Sequence, residues 1–240
     1  MILYKGVEAF GLFLWFSNSK ALVCSDLHLG YEGFLNSQGI FVPRYNFDEI
    51  KKMFEKVFSE KGKPEYLIIC GDFKHEFKGI SSQEWRESFD MIDFLVKNCN
   101  KLVLIKGNHD NSLGVIAKSK GLEFLTEFFL SEEKILFLHG DKLPSKDLVK
   151  KAKLIVIGHE HPSITLRDSV KSETYKCFLK GAYCNKVLLV LPSLIMVGVG
   201  NDITKEKTMS PLIEDINEFE VFAVEKDVFY LGKVKDILEF

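Results

Sequence analysis

Five short apolar runs in this chain each stop at a polar cluster built from histidine, aspartate or both. Lys20 to Ser25 ends at Asp26-Leu27-His28, Tyr66 to Cys70 at Gly71-Asp72, and Lys101 to Ile105 just before Gly107-Asn108-His109-Asp110. Ile135 to Leu138 ends at His139-Gly140, and Leu154 to Ile157 at Gly158-His159-Glu160-His161. Near-continuous apolar runs of this length read as strands buried on both faces. Helical patterns separate the early ones. Asn46 and Glu49 form a capping-box pattern ahead of Phe47, Ile50, Phe54, Val57 and Phe58, which share one face to Ser59, and Gly62 and Pro64 stop that helix. Ser81 and Glu84 open a second helix with Trp85, Phe89, Ile92 and Val96 as its expected buried stripe. Strands alternating with helices imply an α/β fold. In such folds ligands bind beyond the carboxyl ends of the strands, so clusters far apart in sequence can meet there.

The rest of the chain fills in the frame. Val7 to Phe16 reads as a strand joined to the next by a turn at Ser17-Asn18-Ser19. The last third carries strand-like runs at Ser163 to Arg167, Thr174 to Leu179, Lys186 to Leu191, Phe219 to Val224 and Val228 to Leu231, without a long amphipathic helix. A second, more antiparallel sheet packed on the first is expected. With no repeat and no linker-like stretch, residues 1–240 read as a single domain. Thirty-two basic against thirty-four acidic side chains leave a net charge of −2, which argues against a polybasic nucleic-acid or membrane binder. The longest apolar run, Val187 to Gly200, is interrupted by Pro192 and Ser193, so no membrane span is expected. No secretory signal pattern is present, and a cytoplasmic location is expected. The five cysteines show no C-x-x-C spacing and read as reduced core thiols.

Five of the six histidines lie in the strand-end clusters. Carboxylate, imidazole and amide oxygen without thiolate suit a divalent ion such as Mn, Fe, Zn or Ni. Seven such side chains exceed what one tetrahedral ion needs but match two ions that share a bridging carboxylate. D-x-H, G-D, G-N-H-D, H and G-H-x-H in this order resemble the calcineurin-like metallophosphoesterase superfamily. Ser25 to Glu32, Pro43-Arg44-Tyr45, Gly71 to Phe77, Ile157 to Pro162 and Leu191-Pro192-Ser193 extend the likeness to its archaeal and bacterial DNA-ligase-associated, ICC-like subgroup.

The resemblance implies a four-layer α/β sandwich of two mixed β-sheets flanked by helices, and two divalent ions, with Mn the leading candidate. Asp26, His28 and His161 would hold the first, Asn108, His139 and His159 the second, and Asp72 would bridge them. His109 would be the catalytic histidine that is not a ligand, oriented by Asp110. The implied activity is hydrolysis of phosphodiester bonds by in-line attack of a hydroxide bridging the ions. The substrate would be a nucleotide or nucleic acid, as for a DNA or RNA nuclease or repair phosphodiesterase with DNA-repair partner proteins. A non-catalytic interaction module of the same fold is the remaining alternative.

Outside the motif, His75 and Arg44 are candidate substrate contacts. Lys146, Lys150, Lys151 and Lys153 read as a solvated face following a short helix, and Phe124, Phe128 and Phe129 read as core. Cys24 and Cys70 fit the crowded strands that precede the ligand-bearing turns.

Overall fold

The computed structural model describes residues 1–77, 79–167 and 171–238. Two mixed sheets flanked by helices make up the α/β fold. The first sheet contains β1 (Ile2–Tyr4), β2 (Val7–Phe10), β3 (Phe13–Phe16), β4 (Ala21–Cys24), β5 (Tyr66–Cys70), β6 (Lys101–Ile105) and β7 (Phe124–Leu125), side by side in chain order. β1 to β4 run antiparallel, whereas β4 to β7 are parallel. The parallel connections carry α1 (Tyr31–Ser37) and α2 (Asn46–Lys61), then α3 (Ser82–Asn98), then α4 (Leu113–Ser119).

The second sheet follows, with β8 (Glu127–Leu130), β9 (Ile135–Leu138), α5 (Lys146–Lys151), β10 (Leu154–Ile157), β11 (Pro162–Arg167), β12 (Ser172–Tyr183), β13 (Lys186–Val190), β14 (Asn201–Asp202), β15 (Glu220–Val224), β16 (Val228–Lys233) and α6 (Val234–Leu238). Its order is β14-β11-β12-β13-β10-β9-β8, with β15 between β12 and β16. The β9–β10, β10–β13 and β11–β14 pairs are parallel, whereas β8–β9, β11–β12, β12–β13, β12–β15 and β15–β16 are antiparallel, so the second sheet is the more antiparallel of the two, as expected.

Strand alternation places the two cores. Phe137, Val156 and Leu189 point between the sheets, where Phe16 meets Phe137 with ring centroids 5.6 Å apart. Their neighbours Leu136, Ile155, Ile157, Leu188 and Val190 point the other way, onto Val149 of α5 and Val234 at the start of α6. Strands buried on both faces explain the unbroken apolar runs.

Several local expectations change. Val7 to Phe16 is two strands, because Gly11 takes a φ of 54° and turns the chain between Phe10 and Phe13. Asn46 does not cap α2: it is buried, its Nδ2 donating to the Leu27 carbonyl and its Oδ1 accepting from the Met196 amide. Ser81 and Glu84 do form the capping box of α3. The buried face of that helix is Glu84, Ser88, Met91, Ile92 and Leu95, while Trp85 and Val96 are 40% and 44% exposed. Apolarity misplaces the stripe because Glu84 and Ser88 are polar positions on its inner side. Cys184 is exposed and left-handed in the turn between β12 and β13, unlike the four buried cysteines.

Candidate metal centre

The loops following β4 and β5 are zipped together by backbone bonds beyond the strands themselves. Asp26 donates to the Gly71 carbonyl (3.0 Å), His28 to Asp72 (3.0 Å) and His75 to Leu29 (3.1 Å). The zipper aims Asp26, His28 and Asp72 into one space, at the price of left-handed backbone at all three. His159 and His161, after β10, share that conformation. Each such residue costs about 1–2 kcal/mol relative to ordinary backbone, and concentrated local strain is typical of a functional site. Gly71 shares that left-handed backbone (φ 89°), and both it and Gly107 are also needed for close approach. A Cβ on Gly71 would lie 2.3 Å from the His139 ring, and one on Gly107 would lie 2.1 Å from Asp72 Oδ1.

Three groups of ligand atoms converge: Asp26, His28, Asp72 and His161; Asp72, His139 and His159; and His28, His75 and His109. Asp72 Oδ2 lies 3.3 Å from His139 Nε2 and 3.8 Å from His28 Nε2, so it faces both of the first two groups. His28 and His161 approach through Nε2 at 3.2 Å, and His159 Nδ1 lies 3.1 Å from His139 Nε2. Asn108 Oδ1 is 2.9 Å from the same nitrogen of His139. The Cys70 carbonyl, 2.9 Å from His139 Nδ1, accepts the proton there and leaves Nε2 facing the cluster.

The electrostatics mark a cluster short of positive charge. Burial alone would raise the Asp26 carboxyl, but His161 above all holds it below the usual range. Burial would lower His139, yet Asp72 and Asp26 push it up to about 10. Burial and His161 depress His28. Asp26 Oδ1 is buried, with His161 Nε2 at 3.4 Å, and accepts no hydrogen bond among the described residues, which is what a donor set made for a cation leaves behind. The residues therefore fit divalent metal, with oxygen and nitrogen donors only.

A model of the calcineurin-like phosphoesterase family matches residues 19–191, the span that holds all seven of these side chains. The chain belongs to this family. Among solved structures, this chain is similar to the Pseudomonas putida nuclease MPE, at 21% identity over 91% of each chain with a TM-score of 0.64. It also matches the E. coli phosphoesterase Yfce, at 13% identity over 90% of this chain and 94% of the other (TM-score 0.40). Vps29 from Entamoeba histolytica matches at 14% identity over 88% and 96% (TM-score 0.38). No curated protein sequence matches.

The other expected residues divide. His109 sits at the cluster, its amide donating to Asp72 Oδ1 (2.9 Å) and its Nε2 3.8 Å from Asp72 Oδ2. The Asp110 carboxylate, expected to orient it, does so through the backbone and not through the His109 ring. Both Asp110 oxygens are taken by backbone, Oδ1 by the amides of Phe73 (3.0 Å) and Lys74 (3.2 Å) and Oδ2 by Gly107 (3.0 Å). Asp110 thus ties the β5 and β6 loops together, and burial, with Asp72 nearby, pushes its carboxyl up to about 6. The carbonyl of His75 instead meets His109 Nδ1. His75 itself lies on the rim, Nδ1 3.2 Å from His28 Nδ1. Arg44 is exposed in a separate cleft with Glu32, Arg86 and Glu87, away from the metal-ligand candidates.

Sequence reasoning missed the residues that support this ring. Lys74 is fully buried and donates to the His109 carbonyl at 2.8 Å and to that of Glu76. Glu84 Oε1 accepts from the amides of His75 (3.0 Å) and Glu76 (2.6 Å). Lys176 reaches from β12 to the carbonyls of Ser193 (2.8 Å) and Ile195, whose amide in turn bonds the Asp26 carbonyl. No periodicity marks these positions. Glu84 was marked only as part of a capping box, and for Lys74 and Lys176 the available signal was charge inside or beside apolar runs. Beyond Asn108 and His139 a cleft opens, lined by Lys106, Asn111, Glu127, Lys142 and Leu143. No helix among the described residues is long and apolar enough to cross a membrane.

Proposed function

We propose that this protein is a dinuclear metal-dependent phosphodiesterase, and that nucleic acid is its substrate. The observation that carries the reading is Asp72 Oδ2, set between the imidazoles of His28 and His139. Asp26, His28 and His161 would hold one divalent ion, Asn108, His139 and His159 the other, and Asp72 would contribute to both. Mn is the leading candidate, with Fe, Zn and Ni as alternatives suited to the donors. When bound, such a pair supplies Lewis-acid polarisation of phosphoryl oxygens and water activated near neutral pH.

The side chains have their own work. A carbonyl can only accept, so His109 carries a proton on Nδ1 against His75 and presents Nε2 to the substrate. That atom, as part of an imidazolium, donates to the leaving oxygen. Asp110 positions His109 and Asp72 through backbone rather than touching the reacting atoms. Asp72 Oδ1 fixes the His109 amide.

A nuclease is favoured among phosphodiesterases by the fold likeness to the Pseudomonas putida nuclease MPE. The motifs from Ser25 to Pro162 support placement in the DNA-ligase-associated subgroup, and with it a single-domain cytoplasmic enzyme that works beside DNA-repair proteins. A non-catalytic interaction module would have little use for a complete ligand set or for five strained residues around it. Parallel assays with p-nitrophenyl phosphate and bis(p-nitrophenyl) phosphate, with and without added Mn, test the proposal. Mn-dependent cleavage of the diester is expected; two bound ions without turnover of either ester would refute it.

A further inference from the structure

The candidate centre has an aromatic rim. The Phe77 ring lies against that of His109, centroids 3.6 Å apart and planes tilted by 35°, yet Phe77 is 52% exposed. The rim continues through His75, whose ring is 5.2 Å from His109, 4.3 Å from Tyr31 and 4.8 Å from Phe34. A phenylalanine left half in water contributes little to a core. Its covered side rests on the imidazole that meets the leaving oxygen, and its remaining surface is open beside the phosphoryl site.

A flat apolar surface in that place suits a nucleobase, since every base has a π-face and aromatic stacking tolerates any sequence. Bases inside a duplex have both faces covered by their neighbours, so only an unpaired base can use such a platform. On the other side of the cluster, Lys106 borders the cleft beside Asn108 and His139 and forms no ion pair among the described residues, which leaves it free for a backbone phosphate.

We propose that Phe77 is a base-stacking residue, and that the substrate is an unpaired stretch of nucleic acid held with one base against Phe77 beside the scissile phosphate. This inference rests on the phosphodiesterase reading above and narrows it to single-stranded substrate.

The test compares an oligothymidylate with a strand of equal length made of abasic residues, both with Mn. Wild-type kcat/KM should favour the base-bearing strand by roughly 5- to 100-fold, the worth of one stacked base. Phe77→Ala should bring that ratio close to one, and Phe77→Trp should keep it. Independently of turnover, metal-free wild type should quench the fluorescence of a 2-aminopurine oligonucleotide on binding, and Phe77→Ala should not. An unchanged ratio in Phe77→Ala, or duplex cleaved as well as single strand, would overturn the proposal. Wild type that cleaves bis(p-nitrophenyl) phosphate without any preference for bases would overturn it while leaving the phosphodiesterase reading intact. Wild type that cleaves no diester would overturn both.

Discussion

Replacing Gly107 by alanine should separate close packing from backbone conformation as the reason for glycine in the G-N-H-D loop. Gly107 is not left-handed, so its Cβ would be resisted by space alone. That Cβ would meet Asp72 Oδ1 at 2.1 Å and the Asp72 backbone nitrogen at 2.3 Å, against 3.4 Å for ordinary contact. One of the two loops must therefore retreat by about 1 Å, the scale of overpacking that costs about 1–3 kcal/mol. Retreat also stretches the bonds from His109 N to Asp72 Oδ1 and from Gly107 N to Asp110 Oδ2, each worth about 1–3 kcal/mol when a buried group is left unpaired. The sum is about 3–9 kcal/mol, or a fall of roughly 6–36 °C in the Tm of metal-free protein at this chain length. Displaced Asp72 should also weaken Mn binding by about 10–100-fold, as loss of ligand support does elsewhere. Calorimetric melts and Mn titration read both effects. Gly11→Ala is the control: with φ 54° and nothing within 4 Å of its Cβ, it should cost only about 1 kcal/mol and leave Mn binding alone. Gly107→Ala that melts within 1 °C of wild type and binds Mn normally would refute the reasoning.

Further outcomes follow from the same geometry. His109→Ala should retain both ions by elemental analysis while kcat on a diester falls by about 10²–10⁴; unchanged turnover would remove His109 from the chemistry. Asp110→Ala unpairs three buried amides, so it should lower Tm and Mn affinity together, whereas a loss of kcat alone would restore a direct role towards His109. Lys176 gives a pH signature: burial lowers its amine from 10.5 to about 8, so below pH 8 the ammonium is present in both states and its burial costs stability. Between pH 8 and 10.5 the unfolded chain binds a proton the folded chain lacks, and stability from this group rises with pH. The Tm of metal-free wild type minus that of Lys176→Met should therefore grow from pH 7.5 to 10; a flat or falling difference would contradict it. Lys106→Met should raise KM for an oligonucleotide and reduce the salt slope by about one, an unchanged slope counting against a phosphate contact.

Much of the fold was legible because its central strands are buried on both faces, and such strands leave unbroken apolar runs between punctuation. The candidate site was legible because Asp26, His28, Asp72, Asn108, His139, His159 and His161 all follow those runs, where an α/β sheet gathers loops at one edge. Failures came where tertiary contacts decide the role of a polar residue. Asn46 is spaced like a cap, yet its amide bridges Leu27 and Met196. Asp110 follows His109 directly, yet its carboxylate turns away to three backbone amides. Trp85 follows the apolar pattern of α3 but loses the inner face to Glu84, which is committed to the loop of His75 and Glu76. Lys74 and Lys176 are charged residues that serve as buried donors to carbonyls, and nothing local distinguishes them from surface lysines.

The central claim is that one carboxylate joins two metal positions. Elemental analysis of Mn-reconstituted protein, wild type beside Asp72→Asn, addresses it directly. Two ions per wild-type chain, with loss of metal and of diester cleavage together in Asp72→Asn, is the expected result. One ion or none in wild type, or an Asp72→Asn chain that keeps two ions and full turnover, would contradict it.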